Sequence, residues 1–532
     1  MKQPSRSAHA LWCFLWLFGL VGLALVLRWP ALQNPGFHNE DVAGITYNAD
    51  LLMNQFIPLV DNLEYKAPGA FFLSAFAWLS LGRSIVTLQW IVFLLSLLAA
   101  FGVHRLVTLL YDRRRGEIAA ALYVVLAPIT DSMDANYGAW MIAPYIWSSV
   151  CFVLALRRRQ FRYFLMAGAL LAIAGLIKRQ AAVLVGVYLL TGLAIPRTRV
   201  PDGWMTIEHR GRAAMALLVG LVIGFAPIFL WYLSRGQLWS FCEQYFFSSS
   251  GWSYLKGELS FSERLLRLGD GFQGLWAYVA TPTLLASFAI MYRVRQPQHL
   301  TIRSVFVASF LAMSFIGAAL GLRFFKSYYL QVLPALLVLS VHPAGIFRGK
   351  RVPVEGEALQ RPWGVRILIL LGATFVLAPA VVQDGNELWK IRKMRAQARD
   401  GESRKIGAYI AARTQPNDRI WVWGRWGWPV YFHADRRAAS HFPKTLGVFT
   451  TTLTNTWRRP TKNTAFDPQS PWPKLMKQLR ARPPAFVVIS KNEDMARFEA
   501  LKRFLRSDYR RVSTLKVRAF SVYRHRSNRS KR

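Results

Sequence analysis

The sequence predicts an α-helical polytopic membrane protein of about eleven transmembrane helices, followed by a small C-terminal α/β domain. Three observations carry this. Apolar residues come in long unbroken blocks instead of short periodic stripes. Lys and Arg cluster between alternate blocks. After residue 385 the blocks stop, and short β-branched and aromatic runs replace them.

The chain has 532 residues, 53% of them hydrophobic and 14% aromatic. Two blocks show the pattern: LWCFLWLFGLVGLALVL, from Leu11 to Leu27, and ILILLGATFVLAPAVV, from Ile367 to Val382. At ~1.5 Å per residue each is about long enough to cross ~30 Å of hydrocarbon. The predicted spans are 10–28, 85–109, 116–131, 139–156, 161–177, 181–196, 213–234, 271–292, 304–322, 327–345 and 366–384. Lys2 and Arg6 precede the first span, as in a signal peptide. That span is long, however, and Arg28-Trp29-Pro30 follows it with no small-residue cleavage site, so it reads as an uncleaved anchor.

With a cytoplasmic N-terminus, the cytoplasmic loops are DRRR at Asp112–Arg115, RRRQFR at Arg157–Arg162, 197–212, RVRQPQ from Arg293, and 346–365 with Arg348, Lys350, Arg351 and Arg361. The opposite loops are poorer in Lys and Arg, and the first carries Glu40, Asp41, Asp50, Asp61 and Glu64. The positive-inside rule thus holds along the chain and puts the C-terminal domain outside, which in a bacterial inner membrane is the periplasm. A net charge of +39 would suggest nucleic acid in a soluble protein, but these charges sit where orientation signals belong. The remainder lie in the last ~150 residues, suited to an anionic membrane lipid surface or an acidic acceptor. Cys13 and Cys151 lie in apolar blocks, Cys242 falls in a loop, and no metal-ligand spacing appears.

In the first external loop (29–84), the stretches 42–57 and Pro68–Leu81 are apolar but short for spans, which suits interfacial helices. Beyond the transmembrane domain (1–384), segment 387–413 reads as a charged helix. Arg419–Trp423 and Phe486–Ser490 read as buried strands, 491–506 as a helix and 509–525 as a hairpin. This is the α/β domain, 385–532, with a basic tail from Arg524.

The loop opens with FHNED, Phe37 to Asp41. A carboxylate at a membrane surface can take a proton from a hydroxyl nucleophile or orient it, but solvated loop acids are common and the pair alone is weak evidence. Downstream comes IPLVDNLEYKAPGAFF, Ile57 to Phe72. The order Glu40-Asp41, then Tyr47, Ala49, Leu51 and Leu52, then Asp61, then Lys66-Ala67-Pro68-Gly69 resembles integral-membrane glycosyltransferases of the GT-C fold. That superfamily includes protein O-mannosyltransferases and the aminoarabinose transferase of lipid A. The acidic pair is inverted here, and Ala67 stands for a proline. The next external loop, TDSMDANYGAW, supplies Asn136 of the family's Asn-Thr-Glu, with Asp131 or Asp134 in place of the glutamate or simply capping a helix. Lys178-Arg179-Gln180 matches a Lys-containing turn, and it suits a lipid phosphate or a snorkelling contact. GLRFFKSYYLQVLPALLVL, Gly321 to Leu339, places Arg323, Lys326, Tyr328, Tyr329, Gln331 and Pro334 at family-like positions. The run Trp421 to Phe442 is similar to a motif in the soluble part of bacterial relatives, and its tryptophans offer stacking faces for sugars or membrane anchors.

The resemblance implies an inverting transfer of one sugar from a polyprenyl-phosphate donor to a hydroxyl of an envelope glycolipid, glycan or protein. Glu40 or Asp41 would be the base. Lys66, Lys178, Arg323 and Lys326 would face the donor phosphate, and Asp61, Asp134, Asn136, Tyr328, Tyr329 and Gln331 the substrates. No nucleotide or nucleic acid is implied. The GT-C fold is compatible with a divalent cation, but the sequence supplies no convincing ligand set. A transporter or lipid flippase is the competing class. It would place ionisable residues in mid-membrane with broken helices and inverted repeats, whereas no convincing internal repeat appears and the charges cluster at external helix ends. A non-catalytic scaffold would leave Glu40-Asp41 and Arg323-Lys326 unrelated in space.

Overall fold

The computed structural model describes residues 6–64, 66–194, 210–247, 260–294, 301–342, 363–397, 399–424, 427–443, 445, 448–451, 458, 465–466, 470–491 and 498–527. The loop expectations for 197–212, 346–365 and most of RVRQPQ lie largely outside them, as does the tail beyond 527.

The architecture is that of a mostly helical integral membrane protein with a small C-terminal sheet region. Helices α1 (Arg6–Gln33), α2 (Glu40–Met53), α3 (Gly69–Leu81), α4 (Ile85–Leu110), α5 (Arg113–Leu126), α6 (Tyr137–Arg158), α7 (Phe161–Ile177), α8 (Leu184–Ala194) and α9 (Arg210–Ser234) come first. Then follow α10 (Leu238–Cys242), α11 (Phe261–Val294), α12 (Ile302–Ala319), α13 (Lys326–Ser340) and α14 (Trp363–Arg395). Every predicted span overlaps one of these helices. Among the described residues, six helices are long and apolar enough to cross a bilayer by themselves. The apolar side chains of α1 and α9 are largely exposed, Phe18 and Val222 among them, and so face lipid; α6 is buried along its length and forms the bundle centre.

Local chemistry sets the ends. Asp112 accepts from Arg115 N at 3.0 Å, Ser84 from Val86 N at 3.1 Å and Thr301 from Ser304 N at 3.2 Å, each an N-cap. Pro128 tightens the end of span 116–131 into a 3₁₀ turn, Ala127–Thr130. Within α11, Val279 leaves helical geometry three residues before Pro282. The amides of Ala280 and Thr281 released there donate to the buried Asp384 carboxylate of α14 at 2.9 and 2.8 Å.

Two expectations change. The charged segment 387–413 is two helices: α14 stops at Arg395 and α15 spans Gly401–Ala411, because Arg395 turns into the protein interior. Cys242 ends the short helix α10. The described helix after the second strand starts at Glu499.

The C-terminal region contains β1 (Arg419–Trp423), α16 (Trp428–Ala434), β2 (Arg437–Ala438), β3 (Thr450–Thr451), β4 (Ala465–Phe466) and α17 (Trp472–Ala481). It ends with β5 (Phe486–Ser490), α18 (Glu499–Asp508), β6 (Tyr509–Arg511) and β7 (Phe520–His525). The five-stranded sheet has the order β2-β1-β5-β7-β6; β1 is parallel to both neighbours, and β7 is antiparallel to β5 and β6. The five-residue strands β1 and β5 and the closing hairpin are those predicted. The sheet region grips α2: Ala438 N donates to the Tyr47 hydroxyl at 3.1 Å, and Tyr47 packs on Trp428 and Tyr431.

Helices α7 and α9 approach through small residues. A Cβ on Gly220 would lie 2.0 Å from Leu165 O, and one on Gly224 2.4 Å from Ala169 O. We therefore expect Gly220→Val to lower stability by about 1–3 kcal/mol. Thermal unfolding of the detergent-purified protein measures this.

Candidate active site

The first loop delivers its acids through α2. Asn39 caps that helix, its side chain accepting from Asp41 N at 2.9 Å, so Glu40 and Asp41 stand in the first turn. Lys66 begins the Lys-Ala-Pro-Gly turn into α3. A Cβ on Gly69 would lie 2.7 Å from Leu176 O, so only glycine lets this turn lie against the end of α7. That contact brings Lys66 beside Lys178, the residue after α7. Lys66 pairs with Asp41, and its ammonium lies 4.9 Å from the Tyr137 ring centroid.

Lys178 stands in the turn between α7 and α8, with its ammonium 4.7 Å from the Tyr328 ring centroid. Burial pushes its pKa down to about 8; Asp41 and Asp131 draw it back up, and Lys66 adds to the fall. Tyr328 belongs to the first turn of α13, which opens with Lys326. Lys326 reaches Asp131 at 3.6 Å. Just before it, Leu322 and Phe324 both take positive φ, 47° and 51°, on either side of Arg323. Bulky side chains in that region carry strain, so the turn that presents Arg323 is held against local preference.

Asp131 is the shared partner. It accepts from Asn39 at 2.8 Å and meets both Lys326 and the guanidinium of Arg395, the latter at 3.2 Å. Arg395 also binds Asp134. Arg395 is 1% exposed and Asp134 wholly buried. Arg28 closes the loop from the other side, donating to Ser132 O at 2.7 Å and to the hydroxyls of Ser132 and Ser96 at 2.6 and 2.8 Å.

Asp41, Lys66, Lys178, Lys326 and Tyr328 thus face one region at one end of the bundle. The two remote groups, Glu40-Asp41 and Arg323-Lys326, are linked through Asn39 and Asp131. Asp134 and Asn136 lie in the layer beneath. Asn136 caps α6 by accepting from Ala139 N at 3.0 Å, and Asp134 is taken by Arg395. Three other predicted residues sit elsewhere. The Tyr329 hydroxyl is buried and donates to Gly271 O at 2.7 Å, and Gln331 donates to Gln180 O at 3.1 Å, so both join helices. Asp61 accepts from Ile57 N at 2.6 Å and lines a groove against the sheet region. Arg395, Arg28 and Tyr137 had no motif to mark them: Arg395 is one cation in a basic run, and only the fold shows it buried. Among the described residues no group of His, Cys, Asp and Glu gathers to hold a metal ion.

Residues 65–231 match the family model described as dolichyl-phosphate-mannose-protein mannosyltransferase. The whole chain is similar to ArnT from Cupriavidus metallidurans, whose structure was solved bound to undecaprenyl phosphate. The TM-score is 0.60 at 14% identity, covering 97% of this chain and 99% of that one. The fold is that of the GT-C glycosyltransferases. The GT-C oligosaccharyltransferase AglB from Archaeoglobus fulgidus, solved with an inhibitory peptide and a dolichol-phosphate, also matches. Its TM-score is 0.53 at 12% identity, covering 98% of this chain and 75% of that one. No curated protein matches the sequence significantly.

The GT-C end of the bundle rests on the Arg395–Asp134 pair, which yields a stability test. Arg395→Met alone should cost about 3–5 kcal/mol, because it strands the buried Asp134 carboxylate, and Asp134→Leu should cost less, because Asp131 still pairs with Arg395. The double substitution should recover much of that loss, as read by unfolding in detergent.

Proposed function

We propose that the protein transfers a monosaccharide from a polyprenyl-phosphate donor to a hydroxyl of an envelope glycolipid, glycan or protein, with inversion at the anomeric carbon. The observation that carries this is the meeting of a carboxylate, Asp41, with Lys66, Lys178 and Lys326 at one end of a GT-C bundle. In this reading the chain sits in a bacterial inner membrane with its N-terminus cytoplasmic. Residues 1–384 carry the reaction, and 385–532 form a periplasmic α/β domain over it. Undecaprenyl phosphate on ArnT and dolichol-phosphate on AglB support a donor of the same chemical kind here.

Asp41 takes the acceptor hydroxyl's proton as that oxygen bonds to the anomeric carbon. The bond from that carbon to the phosphate oxygen breaks, and its electron pair leaves on the phosphate. Lys66, Lys178 and Lys326, with Arg323 at the strained turn, offset the charge that develops there. Paired with Lys66 at rest, Asp41 is a poor base. A donor phosphate that draws Lys66 toward itself frees the carboxylate. Glu40, in the same helical turn, orients the acceptor. The groove for the polyprenyl tail is formed by helices that face lipid.

In vesicles, with radiolabelled polyprenyl-phosphate sugars and total envelope acceptors, we expect transfer by the wild type. Asp41→Asn should lower kcat roughly 10²–10⁴-fold, and Glu40→Gln should have a smaller effect. Full activity in Asp41→Asn would refute the assignment of the base. Lys178 attracts phosphate only while protonated, so its contribution fades as pH rises through about 8. The donor KM should therefore climb above that pH in the wild type. In Lys178→Arg, whose guanidinium stays charged, it should remain low.

A further inference from the structure

The groove that holds Asp61 lies between α2 and the sheet region, with a volume of about 370 Å³. Tyr47 and Phe56 form one wall, and Arg419, His441, Gln478 and Arg482 the other. Arg437 stacks on Phe56 at 4.3 Å from its ring centroid, and Arg419 is 5.9 Å from the same ring. Lys474 on α17 adds positive potential at His441. The carboxylate that lines the groove, Asp61, faces the two lining guanidiniums of Arg419 and Arg482 and leaves positive charge in excess, while Asp50 is held by Arg83 at 2.6 and 2.7 Å. Burial and the charges of Arg437 and Arg482 depress the Arg419 pKa, and Tyr47 partly opposes them. Guanidiniums are planar forks suited to oxyanions, and an aromatic wall suits a sugar ring.

We propose that this groove is a second binding site, an oxyanion subsite that takes a phosphate or carboxylate carried by an acidic glycan or glycolipid acceptor. Its placement on α2 gives the reason. Tyr47 is six residues beyond Asp41, about 9 Å along the same helix. An acceptor anchored by its charge in the groove reaches Asp41 by running that distance along α2 and about a third of a turn around it, and presents a hydroxyl there. This assignment rests on the transferase reading, but its binding test does not.

The full chain in nanodiscs of neutral lipid is titrated with inorganic phosphate, glucuronate or glucose, with no donor present, and binding is read by thermal shift. Phosphate or glucuronate should stabilise the wild type and glucose should not; the more effective anion identifies the acceptor's charge. Arg482→Gln, an exposed position, should weaken that anion roughly tenfold, and Arg482→Lys should restore part of the loss. With envelope acceptor, Arg482→Gln should raise KM by a similar factor and leave kcat unchanged. The idea fails if neither anion binds. It also fails if binding is insensitive to Arg482→Gln but lost in Lys178→Met, which would put the anion in the donor site. A neutral acceptor with an unchanged KM would likewise overturn it. Absence of transfer from any donor would count against the catalytic reading alone.

Discussion

The buried guanidinium of Arg395 is the contact on which the rest of the candidate site depends. Removing an ion from water costs several kcal/mol, and that cost is tolerable only when carboxylates and hydrogen bonds surround it. Asp131 and Asp134 provide them, from a loop more than two hundred and fifty residues earlier in the chain. Arg28 fixes the other side of that loop through Ser132. Three helices that are distant in sequence, α1, α13 and α14, thereby meet on one short segment between α5 and α6. With Asp131 fixed, Asn39 and Lys326 acquire a common partner, and the first turns of α2 and α13 are brought together.

Above this layer the charges are arranged for exchange. Asp41 and Lys66 are each only partly covered, with side chains 42% and 30% exposed, so water or a ligand can compete for either. The pair below them, Arg395 with Asp134, is shut away. A closed ionic layer under an open one separates the task of holding the fold from that of meeting a substrate.

The membrane fold was legible because the bilayer imposes long apolar runs. Strands Arg419–Trp423 and Phe486–Ser490 were legible because, Arg419 apart, they are buried in a parallel pair, which requires continuous apolar sequence. The division of 387–413 was not. Nothing local to Arg395 distinguishes it from Arg392 or Lys393, and its burial is decided by aspartates remote in sequence. In the site, motif order located Asp41, Lys66, Lys178 and Lys326 on one surface. The same order could not reveal that the Tyr329 hydroxyl and the Gln331 amide point into helix contacts, because adjacent helical positions lie ~100° apart and only packing decides which one faces outward.

Helix α14 carries two buried anchors. Asp384 satisfies the amides freed by the bend in α11, and Arg395 enters the aspartate layer. They are eleven residues apart, about three turns, a spacing that returns to nearly the same face of a helix. The helix is therefore keyed at two depths along one edge, like a bolt with two teeth, and can neither slide nor roll without drawing a tooth. Between these positions side chains can vary freely on the outer face, but length cannot. A single inserted or deleted residue would turn one anchor by ~100° and shift it ~1.5 Å, leaving a charge or a pair of amides without its partner.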